Sequence, residues 1–291
     1  MFFKQWEVLL VDDDKDVNRL TSLAMRNFEV YGIPLRLSTA TSKSDAMQVL
    51  STVEWMPLIA VAFIDVVMET DTAGLDLCEY MRTTANNKLT QIYIRTGQPG
   101  VAPERQVIDK YDISGYFTKM ETNEDKLYSL VKAGIRQYLW NHFASGAIQF
   151  YDHMIAAIGS RDALAATAHQ MLRGFVMTSA GTKPESMEVQ SCLWIGDREV
   201  SRLGVDAAGA AQLRTQLSEL HHREIRPGGD YFTSDDRDNY LLHIASSDPT
   251  AELVYVCNTQ FDIPPFIMQV IYRVFASLSK VWAASPAAVA E

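Results

Sequence analysis

At 291 residues the chain exceeds what one hydrophobic core usually organises, so two domains are expected. Apolar residues make up 47% and charged residues 21%, the balance of an ordinary soluble globular protein. The formal net charge is −10, neither half is basic, and no Lys/Arg cluster is dense enough to neutralise several phosphates, which argues against DNA or RNA as a direct partner.

In chain order, residues 7–11 (EVLLV) read as a strand and residues 17–30 as a helix. A second strand is expected at 35–40, then a helix at 42–53 with Ser42 as its N-cap. Residues 58–64 (LIAVAFI) are continuously apolar, as a central parallel strand covered on both faces requires. A helix at 72–82, a strand at 91–95 and a helix at 103–110 with Pro103 in its first turn follow. The fifth strand falls at 116–118, and Thr122 with Asp125 forms an approximate capping box opening a long helix. This is the pattern of a flavodoxin-like α/β fold, a doubly wound five-stranded parallel sheet whose site lies at the carboxyl ends of the strands.

The long helix runs past Leu139, so the first domain is expected to occupy residues 1–139. The second half has another rhythm: helices at 144–158 and 162–178, a loop at 181–186, and strands at 187–195 and 199–203. A helix at 207–220, strands at 240–245 and 253–257 and a closing helix at 265–282 complete an α+β domain over residues 140–284. The tail at 285–291 is rich in small residues and expected to be flexible. Cys78, Cys192 and Cys257 are scattered, without metal-site spacing, and read as reduced packing residues. The longest apolar run is too short to span a membrane and MFFKQWEVLL lacks the features of a signal peptide, so a cytoplasmic location without membrane insertion is expected.

Four strand ends carry chemistry. Asp12 and Asp13 end the first strand, Asp65 the third, Thr96 the fourth and Lys119 the fifth. Singly, each has an ordinary explanation as a helix cap or a solvent-facing polar group; Asp14 and Asp16 keep that reading. Jointly, three carboxylates in one pocket repel each other unless a cation is bound, and hard oxygen ligands suit Mg²⁺. Asp65 can then attack a phosphoryl group, while Lys119 and the Thr96 hydroxyl offset charge on the phosphoryl oxygens.

VLLVDDD, AFIDVVM, YIRTGQ and GYFTK resemble the motifs of two-component response-regulator receivers, the family of the chemotaxis regulator. The resemblance covers the first 125–140 residues. It implies Asp65 as phosphoacceptor, Asp12, Asp13 and Asp65 as Mg²⁺ ligands, and the Val67 backbone carbonyl as a further ligand. Thr96 and Lys119 match the family's switch pair and Tyr116 its rotating aromatic. Glu69 stands where such receivers often carry Pro, in a loop that is slightly long. The segments DVVMETDTAGLDLCEYMR and IRTGQPGVAPERQVIDKYDI resemble a receiver subgroup whose middle domain sometimes precedes a cyclic-dinucleotide phosphodiesterase domain. The second half is similar to that middle domain and GAF-like in its order of elements.

Gly228-Gly229-Asp230 invites a diguanylate cyclase reading, but a turn after Arg226-Pro227 accounts for it better. His221 and His222 read as surface residues, and His142 and His169 lie on helices without a phosphotransfer context. The expected function is a response regulator, phosphorylated on Asp65 by a sensor histidine kinase or phosphotransfer protein. Its second domain would dimerise, sense or dock a downstream protein. The chain is expected not to be an enzyme beyond the receiver's own phosphotransfer; the alternative is that it is, or regulates, a cyclic-dinucleotide signalling enzyme.

Overall fold

The apolar runs of the first half pair side by side into one sheet. The computed structural model describes residues 5–52, 59–97, 104–177, 190–222, 230–235, 239–259 and 263–286. β1 (Trp6–Val11), the short β2 (Glu29–Val30), β3 (Ile33–Ala40), β4 (Ile59–Ile64), β5 (Gln91–Thr96) and β6 (Gly115–Thr118) form a sheet in the order β2-β3-β1-β4-β5-β6. All neighbours are parallel except β2 and β3. α1 (Lys15–Met25), α2 (Lys43–Thr52), α3 (Ala73–Arg82), α4 (Glu104–Tyr111) and α5 (Glu124–Ala156) are the crossovers and the closing helix. Every residue of β4 is buried, which is why its sequence shows no alternation. Leu9, Ile64, Leu77, Ile92 and Ile94 belong to the core around it.

Three expectations change. The helix foreseen over 17–30 stops at Met25, and residues 29–34 turn back as a hairpin. Tyr31 and Gly32 both have positive φ, 56° and 72°, as a tight hairpin turn requires, and the Trp6 indole N–H donates to Val30 O at 2.9 Å. The five expected parallel strands are all present, and the unforeseen β2 adds a short antiparallel sixth at the edge. The capping box foreseen at Thr122 lies one turn earlier: the Thr118 hydroxyl accepts from Glu121 N–H, and the Glu121 carboxylate accepts from Thr118 N–H at 2.8 Å. Thr122 cannot cap because its hydroxyl is bonded to Arg95 and Lys119 O; Asn123 caps α5 instead, accepting from Lys126 N–H. Pro103 lies outside the described residues.

The contacts divide the chain after His142, and α5 continues unbroken through that position. In the second unit β7 (Gln190–Ile195), β8 (Arg198–Leu203), β9 (Tyr231–Ser234), β10 (Asn239–Ile244) and β11 (Leu253–Asn258) form an antiparallel sheet in the order β8-β7-β11-β10-β9. With α6 (Arg161–Met177), α7 (Ala207–His222) and α8 (Pro265–Ala284) this is an α+β fold. Its core includes Cys192, Leu217, Leu241 and Val256. β9 was not foreseen; it extends the sheet beyond β10. Ser285, expected at the head of a flexible tail, is buried and hydrogen-bonded to Gly159 N–H and the Arg161 guanidinium. The loop foreseen at 181–186 and residues 287–291 lie outside the described residues. No described helix is long and apolar enough to cross a membrane.

Gly74 fixes how closely α3 approaches β4. Its N–H donates to Val66 O at 3.0 Å, and a Cβ there would lie 1.8 Å from the Asp65 carbonyl oxygen. Gly74→Ala therefore has to push α3 off the strand end. We expect a loss of about 3 kcal/mol, at the upper end of overpacking costs, read as a lower urea midpoint. An unchanged midpoint would show that the approach is not constrained.

Candidate functional site

The parallel register delivers the strand ends to one edge. Asp65 N–H donates to Val11 O at 2.9 Å and Asp12 N–H to Ala40 O at 3.1 Å, so the ladder continues into the loops and holds both carboxylates level. Asp12 and Asp65 are buried and Asp13 is exposed, with ligand oxygens of all three within 4.8 Å of one another. Lys119 Nζ lies 2.7 Å from both Asp12 Oδ2 and Asp65 Oδ2. The Thr118–Glu121 capping box fixes the backbone that carries Lys119. Thr96 is fully buried at the end of β5, and the Tyr116 ring on β6 is buried in the core. Val67, two residues past Asp65, is half-buried against the same core.

The electrostatics are those of a site short of positive charge. Burial pushes the Asp12 carboxyl above its ordinary range; the Lys119 hydrogen bond and charge and the Asp14 N–H pull it down, and Asp65 pushes it up again. Burial works against the Lys119 cation, but hydrogen bonds and attraction from Asp12 and Asp65 outweigh it and hold the ammonium above its usual pKa. Burial, then the charges of Glu104 and Asp65, raise the Tyr116 phenol. Asp65 Oδ1 is buried without a hydrogen-bond partner among the described residues, a costly arrangement that a cation or an incoming electrophile relieves. Three carboxylates and this orphan oxygen fit a hard divalent cation.

Sequence reasoning missed the supporting residues. Arg95, a lone charge in the apolar strand QIYIRT, donates from Nε to Thr122 Oγ1 and from Nη1 to Thr21 Oγ1, both at 2.6 Å. It thereby ties α1 and the start of α5 beneath the acidic residues; burial lowers its pKa while Asp12 and Asp65 raise it. Buried Asn18 donates to Asp12 O and Ala40 O. Glu69, the departure from Pro, accepts from Lys43 N–H at 3.0 Å and anchors the acceptor loop to the start of α2. Asp14 caps α1, accepting from Asp16 and Val17 N–H, whereas Asp16 lies inside the first turn.

Other polar candidates have structural roles. Asp230 accepts from Ala245 N–H and the Tyr272 hydroxyl, which removes it from a cyclase-type site; Gly228 and Gly229 lie outside the described residues. His169 bonds to Ser201 Oγ, and the His142 ring stacks on Tyr138. His221 and His222 lie at the end of α7. All three cysteines are buried and free, and burial pushes each thiol up to about 12.

The sheet order, with an acidic triad and a lysine at its carboxyl edge, makes the first unit receiver-like in fold. Over 133 residues, 46% of the chain, the sequence is 41% identical to the 3'3'-cGAMP-specific phosphodiesterase 2 of Vibrio cholerae serotype O1. That stretch is 25% of the relative, so the chain spans only part of its length. No family model matches. Similar solved structures include the signal receiver domain of an HD domain-containing protein from Pseudomonas fluorescens Pf-5, at 16% identity and TM-score 0.40, covering 49% of this chain and 95% of that one. Another is a two-component response regulator from Cytophaga hutchinsonii, at 20% identity and TM-score 0.36, covering 45% and 96%. The expectation that the chain is not an enzyme is corrected by the phosphodiesterase relative. Local motifs alone do not decide activity, because function lives in the assembled site.

The acidic site generates a test by metal addition. A divalent cation should raise the melting temperature, by about 2.7 kcal/mol of stability at a hundredfold excess over Kd. Asp12→Asn should be more stable than wild type in chelator, because it removes a buried carboxylate charge, and should lose most of the cation-dependent gain. A gain of the same size in wild type and Asp12→Asn would place the cation elsewhere.

Proposed function

We propose that the chain is a response regulator in which Mg²⁺-dependent phosphorylation of Asp65 is the input and turnover of a cyclic dinucleotide is the controlled output. The observation that carries the input is the Lys119 ammonium bridging Asp12 and Asp65 while Asp65 Oδ1 remains unpartnered among the described residues. That oxygen is the nucleophile. It forms a P–O bond as the P–N bond of a phosphohistidine donor breaks, and the imidazole leaves with the electron pair of that bond. The donor is a sensor histidine kinase or a phosphotransfer protein.

Asp12, Asp13, Asp65 and the Val67 carbonyl would hold Mg²⁺, which when bound neutralises charge that develops on the phosphoryl oxygens. Lys119 exchanges its carboxylate partners for a phosphoryl oxygen, and the Thr96 hydroxyl donates to another. Tyr116 follows Thr96 and changes the face formed by α4, β6 and α5. Moving a two-state switch from 1:99 to 99:1 takes about 5.5 kcal/mol, within reach of a dianion gaining several charge-assisted hydrogen bonds. The receiver function occupies residues 1–139, and the GAF-like unit over 140–284 serves sensing, dimerisation or docking.

The output is supported by the 41% identity to a cGAMP-specific phosphodiesterase. Acetyl phosphate with Mg²⁺ should add one phosphoryl group by mass to the wild type and none to Asp65→Asn, while Asp14→Asn, altered only at the α1 cap, should still accept it. Uptake by Asp65→Asn sinks the acceptor assignment. Separately, the purified chain incubated with 3'3'-cGAMP should hydrolyse it at a rate that acetyl phosphate alters. Absence of hydrolysis in both states removes the output reading and leaves the phosphoacceptor reading standing.

A further inference from the structure

The second unit contains a cavity of about 480 Å³ that the receiver chemistry does not use. It opens where the β7–β8 turn, the start of β11, α7 and the ends of α6 and α8 meet, and three arginines line it: Arg161, Arg198 and Arg214. The cavity is built rather than incidental. Gly196 in the β7–β8 turn has φ +58°, and a Cβ there would lie 2.9 Å from Thr250 O; its N–H donates to Glu252 O at 2.7 Å. The turn is thereby pinned against the residues opposite, in a backbone conformation that only glycine adopts without strain.

The guanidinium groups are held in place by aromatic faces. Arg161 and Arg198 lie 5.8 and 5.7 Å from the ring of buried Trp282, and Arg214 lies 5.2 Å from that of Trp194. Arg161 is further oriented by donating from Nε to Ser285 O at 3.0 Å. Their carboxylate partners do not close the site. Arg161 meets Asp248 only at 3.7 Å, Arg198 pairs with Asp162 at the surface, and Arg214 is in no ion pair among the described residues. The exposed Arg198–Asp162 pair is weak and readily exchanged. Glu252, the lining carboxylate nearest β11, is engaged by His243 at 2.6 Å.

Three pre-oriented guanidiniums are suited to bidentate recognition of phosphate oxygens. The cavity is much larger than a bare phosphate and falls in the range of small-molecule sites. Ile195 and Val254 supply an apolar wall, so a ligand with an organic body as well as an anionic end is accommodated. We propose that this cavity binds a phosphorylated small molecule of nucleotide size, with its phosphate on Arg161, Arg198 and Arg214. The site is independent of Asp65 and of the function proposed for the first unit.

The test is calorimetric titration of the full chain with GMP, guanosine and pyrophosphate. GMP should bind, guanosine should bind at least tenfold more weakly, and Arg198→Gln and Arg214→Gln should each weaken GMP binding about tenfold or more. Both arginines are partly exposed, and circular dichroism of the variants checks that they remain folded. Phosphorylation of Asp65 by acetyl phosphate should persist in both variants, which separates this site from the receiver. Absence of GMP binding at millimolar concentration overturns the proposal. So does equal affinity for guanosine, binding of pyrophosphate without GMP, or unchanged affinity in a folded Arg214→Gln variant.

Discussion

The contact on which the first unit turns is Lys119 Nζ at 2.7 Å from two buried carboxylates, Asp12 and Asp65. Two acidic groups this deep would otherwise repel each other and lose their hydration without return. One ammonium offsets both, and in doing so it ties together the ends of β1, β4 and β6. The compensation is incomplete: Asp12 stays above its ordinary carboxyl range and Asp65 Oδ1 has no partner among the described residues. A fold that leaves this residual cost at one edge is arranged for a cation or an electrophile to remove it.

Around that contact lies a layer of residues whose task is placement. The Thr118–Glu121 box sets the backbone of Lys119, Asn18 fixes the β1–α1 loop, and Glu69 anchors the loop after Asp65 to α2. Arg95 couples α1 to the start of α5 directly beneath the carboxylates, and its own charge is favoured by theirs. Gly74 lets α3 touch the Asp65 carbonyl. These contacts link the site to the helices at the surface, so an added charge at Asp65 bears on the positions of those helices as well as on the pocket itself.

The second unit solves a different problem. Its antiparallel sheet passes from β8 at one edge to β9 at the other through the segment that contains α7, and its functional potential lies in a cavity where turns and helix ends converge rather than at a row of parallel strand ends. Aromatic rings there orient guanidiniums that carboxylates only partly neutralise. The two units thus present different chemistry, an acidic site short of cations and a cavity with three arginines in its lining.

The sequence by itself determined most of the first unit. Its alternation of apolar runs and helical patterns specifies a doubly wound sheet, and the acidic and basic residues follow those runs closely enough to be placed together. Local pattern went wrong where tertiary contacts outweigh it. Thr122 looks like a cap but is engaged by Arg95, 27 residues away in sequence, and residues 29 and 30 look like the end of a helix but pair as a strand because Trp6 and β3 offer them partners. Arg95 was visible only as an odd charge in a strand, since nothing local says that it lies under Asp12 and Asp65. The arginines of the second unit come from three separate segments, and only folding brings them around one cavity. Strand ends can be read from a sequence because the parallel sheet places them by rule, whereas a cavity walled by turns and helix ends has no such rule and is decided by packing alone.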